Sequence, residues 1–246
     1  MAIRVIVNGA HGKMGQPCVR AIESDPDLIL SGESGRQDDL AALIQKHQAD
    51  VVVDLTNAES VLQNLHTIIE AGARPVIGTT GLLKEQISLV QKKCQTLQRG
   101  GVIAPNFALG AVLMMKYARE MARYFSTVEI IELHHDRKID SPSGTAIRSA
   151  EMISETLAPL PSSHQPLTTK ETLKGARGAH YERIPIHAVR LPGLLAEEQI
   201  IFGGTGETLT LKHSVIDRSC FMPGILLACK KVMELHELVY GLENMV

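Results

Sequence analysis

Ile3-Arg4-Val5-Ile6-Val7-Asn8-Gly9-Ala10-His11-Gly12-Lys13-Met14-Gly15 passes from a short apolar run through three glycines into a stretch where Val19 and Ile22 recur at helical spacing. Strand, glycine loop and helix, in that order, are what a dinucleotide phosphate site requires. The glycines stand at 9, 12 and 15, a GxxGxxG spacing rather than GxGxxG. Both spacings serve the same physics: a tight turn, a backbone close to a pyrophosphate, and a helix packed closely on its strand. Gly9, Ala10, His11, Gly12, Lys13 and Met14 are therefore read as cofactor-binding. The next apolar run, Leu28-Ile29-Leu30-Ser31-Gly32, leads to Glu33, 18 residues after Gly15. An acid at this distance is placed to accept from the adenosine ribose hydroxyls. Arg36 and Lys13 suit a ribose 2′-phosphate, whereas Glu33 suits the unphosphorylated cofactor, so NADH and NADPH both stand as readings.

Further along, Val51 to Thr56, Pro75 to Gly81 and Gly101 to Phe107 are near-continuous apolar runs, and a helix from about 58 to 71 stops at Gly72. Apolar strands alternating with helices predict a parallel sheet covered on both faces, with ligands beyond the carboxyl ends of the strands. Gly78, Thr79, Thr80, Ala104, Pro105, Asn106 and Phe107 fall at such ends and are read as lining the cofactor groove. Thr56 is read as a helix N-cap. After Phe107 comes a helix from about 110 to 124. The stretch from Ala158 to His180, rich in Pro, Ser, Thr and Lys, reads as an irregular excursion. Strands follow at 187–190, 198–202 and 207–213, with Gly203-Gly204-Thr205-Gly206 as a hairpin turn. A last helix, 223–235, is placed back against the first domain. The expected fold is α/β: an N-terminal Rossmann-like dinucleotide-binding domain (1–106 and 217–246) plus an α+β C-terminal domain (107–216) with a mixed open sheet.

Composition narrows the chemistry. Charged residues make up 21% and the formal net charge is −2, so no bulk field favours nucleic acid or a membrane surface. With 3% aromatic residues and no Trp, stacking platforms for single-stranded nucleic acid are not expected. The four cysteines (Cys18, Cys94, Cys220, Cys229) show no CxxC pair or zinc spacing, as for reduced thiols in a cytoplasmic protein. Met1 to Val7 is already strand-like rather than a signal peptide, and no apolar run reaches the roughly 18 residues of a membrane span.

The chemistry concentrates in Glu132-Leu133-His134-His135-Asp136-Arg137-Lys138-Ile139-Asp140-Ser141-Pro142-Ser143-Gly144-Thr145-Ala146. It follows an alternating strand from Val128 to Leu133 and ends where a helix begins. Two histidines, a lysine and Ser-Gly-Thr at a helix start make a site for an anionic ligand, because the first amides of a helix carry partial positive charge. Adjacent histidines on extended chain point to opposite faces, so His134 and His135 do different work. A metal site is not expected: there is no HExxH spacing, and Lys138 opposes a cation. A serine hydrolase built on Ser143 lacks the GxSxG elbow. A non-catalytic dinucleotide-binding regulator would keep the first domain but have no use for the His-His-Lys cluster.

The HHxxKxDxPSGTA core of this segment resembles the signature of the dihydrodipicolinate reductase family. The likeness extends to Gly9–Gly15, Gly78–Gly81 and Ala104–Phe107, and to Ala188-Val189-Arg190, Gly206-Glu207 and Asp217-Arg218 to Pro223-Gly224, so it spans essentially the whole chain. The connection after Glu33 is shorter than in longer members. The resemblance implies reduction of 4-hydroxy-tetrahydrodipicolinate, by way of dihydrodipicolinate, with hydride from NADH or NADPH, in bacterial lysine biosynthesis. It implies His134 as general acid/base and Lys138 as proton donor or stabiliser. His135, Gly144 and Thr145 would hold the substrate carboxylates, with Ser143 and Thr80 as helpers. It further implies domain closure, with hinges near Asn106-Phe107 and His213 to Asp217, and a homotetramer built through the sheet of the second domain.

Overall fold

Val51-Val52-Val53-Asp54 is buried at every position, as a strand covered on both faces must be. The elements around it were traced in a computed structural model that describes residues 2–160 and 170–246. In chain order they are β1 (Ile3–Asn8), α1 (Gly15–Glu23), β2 (Leu28–Ser34), α2 (Leu40–His47), β3 (Val51–Asp54), α3 (Val61–Glu70), β4 (Arg74–Ile77), α4 (Lys84–Leu97), β5 (Gly101–Ile103), α5 (Leu109–Met121), β6 (Thr127–His134) and α6 (Gly144–Ser154). Then come β7 (Ala179–Tyr181), β8 (Ile184–Arg190), β9 (Ala196–Gly204), β10 (Glu207–Val215), α7 (Met222–Lys231) and β11 (Leu238–Tyr240). The chain divides into two compact units, Met1–Leu109 with Arg218–Val246, and Gly110–Asp217.

The first unit holds a six-stranded sheet in the order β11-β5-β4-β3-β1-β2, every pairing parallel. This is the doubly wound arrangement, and α7 returns to it by packing on α1. Its core joins Ile6, Val52, Ile77 and Ile103 of the strands to Leu65, Ile68 and Ile69 of α3 and Val90 of α4. Strands β4 and β5 end at Ile77 and Ile103, four residues before the ends of the apolar runs that announced them. Helix α3 begins later than its apolar pattern suggests, because the Asn57 side chain accepts from the amides of Glu59 and Ser60 and holds the chain in a turn. The residue before the helix is Ser60, so Thr56 is not its N-cap. The edge strand β11, three residues long, went unread in the sequence.

The second unit holds a five-stranded mixed sheet, β10-β9-β6-β8-β7, with β6 and β8 parallel and the remaining pairs antiparallel. Gly206, at φ +79°, closes the β9–β10 hairpin between Gly203 and Gly206 as the sequence predicts. Cross-strand register sorts one face into rows. Val128, Phe202 and Leu209 form one, and Ile130, Ile200 and Leu211 the next, packed against Met114, Ala118, Ala146, Ala150 and Ile153 of α5 and α6. The following row is ionisable: Glu132, Glu198 and His213. The last, at the carboxyl end of β6, is His134 with Ala196 and Val215, and Arg190 opposite His134 on β8. The loop after β6 therefore emerges where an apolar sheet face turns polar. Of the irregular excursion from Ala158 to His180, residues 161–169 lie outside the described residues.

Candidate functional site

Glu132 is fully buried, yet its carboxylate is surrounded by donors. The Arg190 guanidinium meets it as a fork, with Nη1 and Nη2 each 2.8 Å from a different oxygen. The Ser143 amide donates at 3.0 Å, and His134 Nδ1 lies 2.6 Å away. Burial alone would raise the carboxyl; the hydrogen bonds from His134 and Arg190, with their charges, outweigh it and bring Glu132 down to about 2. An ionised carboxylate accepts only, so the proton on this ring sits at Nδ1 and leaves Nε2 as the atom that takes up or gives a proton. This is the base-and-orienter arrangement that general acid–base chemistry uses.

Around this pair the loop is tied at several points. Lys138 closes a turn through its amide to the His135 carbonyl at 3.1 Å, and its ammonium meets both oxygens of Asp140 at 2.8 Å. The Lys138 bond is the largest of the effects that lower the Asp140 carboxyl. Arg190 also reaches the Asp140 carbonyl at 2.7 Å, so a single guanidinium anchors the loop at both ends. His135 is half-buried, and its Nδ1 has no partner among the described residues. Ser143 is buried and its polar groups are spent inward, the amide on Glu132 and the hydroxyl on the Ala146 amide as the N-cap of α6. Its hydroxyl accepts there and keeps its own O–H to donate, so the cap is compatible with the helper role that the resemblance implies. Gly144 and Thr145 lead the helix. A Cβ at Gly144 would meet nothing within 4 Å.

In the first unit, Gly9 adopts φ +85°, and a Cβ there would come within 2.8 Å of the Leu55 carbonyl oxygen. At Gly15 a Cβ would lie 2.1 Å from the Gly9 carbonyl oxygen, so α1 can pack onto the loop only without a side chain. Gly9, His11 and Gly12 line one side of a cleft of about 570 Å³, and Ser34, Gly35 and Arg36 line the other. Glu33 reaches His11 at 3.7 Å. No side chain caps α1, which starts beside this cleft. A glycine cradle, an uncapped helix start and an acid at the end of β2 fit a dinucleotide. The predicted residues Thr79, Thr80, Ala104, Pro105, Asn106 and Phe107 stand beyond the carboxyl ends of β4 and β5. Phe107 is buried, and Gly78 lets its ring approach, since a Cβ at Gly78 would meet it at 2.8 Å.

The sequence did not single out the buried Asp54. Its carboxylate accepts from Asn8 and Asn64 at 2.8 Å, from the Thr56 hydroxyl at 2.7 Å and from Thr79 at 3.0 Å, tying together the ends of β1, β3, β4 and the side of α3. The predicted site likewise lacks Arg190 and Glu132, although period-two counting from Val128 puts Glu132 on the core face.

Residues 3–107 match the family described as dihydrodipicolinate reductase, N-terminus, and residues 110–246 match its C-terminus. A 4-hydroxy-tetrahydrodipicolinate reductase of Coxiella burnetii (strain RSA 493 / Nine Mile phase I) is 55% identical over 246 residues, covering all of both chains. Another, of Legionella pneumophila (strain Paris), is 52% identical with the same coverage. Among solved structures, a dipicolinate-bound dihydrodipicolinate reductase from Paenisporosarcina sp. TG-14 superposes with a TM-score of 0.90 at 43% identity, over 100% of both chains. An amine dehydrogenase from Mycobacterium smegmatis, at 12% identity and a TM-score of 0.69, shares the fold.

Proposed function

The chain belongs to the dihydrodipicolinate reductase family, and from that premise we propose that the loop from Glu132 to Thr145 is its substrate site and the Gly9–Gly15 loop its cofactor site. It is an NAD(P)H-dependent oxidoreductase. It reduces 4-hydroxy-tetrahydrodipicolinate, through dihydrodipicolinate and with release of water, to (S)-2,3,4,5-tetrahydrodipicolinate in the diaminopimelate route to lysine. The observation that carries the site reading is the bond between His134 Nδ1 and the ionised Glu132.

Gly9 to Met14 would hold the dinucleotide, which when bound would supply hydride for the reduction. His134, oriented by Glu132, manages the accompanying proton at Nε2. The Lys138 ammonium, paired with Asp140 until substrate arrives, meets a substrate carboxylate and stabilises or protonates the reacting ring. His135, Gly144 and Thr145 hold the carboxylates, the last two through the start of α6, where a helix receives anions. Ser143 shapes that start and helps to hold the carboxylates. Thr80 helps from the cofactor side. Gly9 to Met14, Glu33, Gly78 to Thr80 and Ala104 to Phe107 hold the cofactor. Glu33 favours NADH through the ribose hydroxyls, and Arg36, which lines the cleft, or Lys13 admits the 2′-phosphate of NADPH.

We also propose a cytoplasmic homotetramer. The four cysteines are free thiols. Assembly through the second sheet is supported by Ile131, Leu133, Val189 and Ile201, half-exposed on the face opposite the core rows. The test of the activity is oxidation of NADH and of NADPH with the freshly made condensation product of pyruvate and aspartate semialdehyde. Substrate-dependent oxidation is the expected result, and the ratio of the two rates measures the balance between Glu33 and Arg36. Cofactor binding without oxidation would overturn the assignment.

A further inference from the structure

A second carboxyl lies beneath the site. Glu198 is directly opposite Glu132 across the β6–β9 ladder and directly opposite His213 across the β9–β10 ladder. It is 4% exposed. One oxygen accepts from the Ser149 hydroxyl of α6 at 2.5 Å, and the other has no partner among the described residues. His134 is two residues along β6 from Glu132 on the same face, which makes it a diagonal neighbour of Glu198, about 7–8 Å away and somewhat less between Cβ atoms. Resting on the acid–base reading of His134 given above, we propose that Glu198 is a positioning residue for the site, a buried acid whose loss of a proton strengthens the hold of His134 on its own.

The argument is one of charge balance in a buried row. Arg190 is committed to Glu132, which takes both arms of its fork. Among the described residues no cation bonds to Glu198. From β6 it sees the Glu132 carboxylate, from β10 it sees His213, which burial pushes toward its neutral form, and from α6 it sees only a hydroxyl. Burial, opposed by the Ser149 bond and reinforced by the Glu132 charge, raises Glu198 to about 7. At lower pH the row therefore carries one negative charge, balanced by Arg190. As the solution turns alkaline, Glu198 ionises and adds a second, unbalanced one. An anion at this distance in a protein interior attracts a nearby imidazolium, so an ionised Glu198 adds its charge to that of Glu132 beside His134.

Glu198→Gln fixes the uncharged state at nearly the same volume and keeps an acceptor for Ser149. In the full-length enzyme, the NMR titration of the His134 imidazole and the alkaline limb of kcat/KM should both move down by about one pH unit. Turnover at pH 6, where Glu198 is already protonated, should stay within about twofold. Ser149→Ala, which removes the bond that favours the ionised form, should move both in the same direction by less. Infrared spectra of the unsubstituted protein should show a buried protonated carboxyl at pH 6 that is lost by pH 8, a result that does not depend on any variant folding. An unmoved imidazole titration in both variants, or no such carboxyl band at pH 6, overturns the proposal. If the titration moves while the kinetic limb does not, Glu198 acts on His134 as inferred, and it is the acid–base role of His134 that fails.

Discussion

At the scale of single residues, the site works through a division of labour that one strand makes possible. His134 and Glu132, two apart on β6, share a face, so the carboxylate lies below the ring it orients. His134→Gln should therefore lower kcat by about 10²–10⁴ with little change in cofactor affinity, measured by steady-state kinetics and by fluorescence titration of NADH. Unchanged turnover would remove His134 from proton transfer. Glu132 also makes a statement about stability. Its folded value, about 2, lies below the ordinary one of about 4.5, so its contribution is fully present above pH 4.5 and is lost as pH falls toward 2. The size is on the order of 3 kcal/mol. Glu132→Gln leaves the Arg190 charge without its partner and should cost about 3–5 kcal/mol at neutral pH. Urea unfolding of the two proteins should show the gap narrowing as pH drops below 4.5, and a gap that does not change with pH would mean that Glu132 is not ionised in the fold.

At the scale of elements, helix starts and strand ends carry the proposed sites. Gly144 opens α6 with open space where a Cβ would go. Gly144→Ala should leave the melting temperature essentially unchanged and raise the KM for substrate about tenfold, because the added methyl crowds the anion cradle and nothing else. A variant with unaltered KM would place the substrate carboxylate elsewhere. Asp54 does for the first sheet what Glu132 does for the second. Removing it as Asp54→Ala strands the donors of Asn8, Asn64 and Thr79 and should lower the unfolding free energy by about 3 kcal/mol in denaturant titration. The same variant should loosen cofactor binding, because Asn8 immediately precedes the glycine loop. These two carboxylates also mark where sequence reading stopped. β-Branched runs such as Val51-Val52-Val53, the glycines at 9, 12 and 15, and the cluster from His134 to Thr145 all carry their meaning locally, in spacing and residue type. The partners of Glu132 and Asp54 do not: Arg190 is 58 positions away and Asn8 is 46, and only the folded register brings them in. Thr56 shows the same limit from the other side, since its hydroxyl goes to Asp54 once Asn57 has claimed the turn before α3.

At the scale of the whole molecule, the second sheet has two faces with different fates. One carries the apolar rows under α5 and α6 and then the polar row beneath the site. The other presents Ile131, Leu133, Val189 and Ile201 together with the Glu129 carboxylate, which pairs with Arg177 and, at 2.8 Å, with His187. A half-exposed apolar sheet face of this kind is stabilised by burial against a like surface, and a closed assembly of identical chains provides one. Ile131→Asp and Ile201→Asp place a charge in the middle of that face without touching the core rows, since both residues alternate with buried ones. Sedimentation velocity should show the unsubstituted chain as a tetramer and the doubly substituted chain as a smaller species with the same far-ultraviolet circular dichroism. Because the site loop leaves from the carboxyl end of β6, the central strand of this sheet, the proposed assembly would also steady the strand that sets the spacing of Glu132 and His134. The smaller species should therefore lose turnover and regain it at protein concentrations that restore the tetramer. A monomeric unsubstituted chain with full activity would confine the sheet's role to holding the loop, and a dissociated variant with full activity would separate assembly from catalysis.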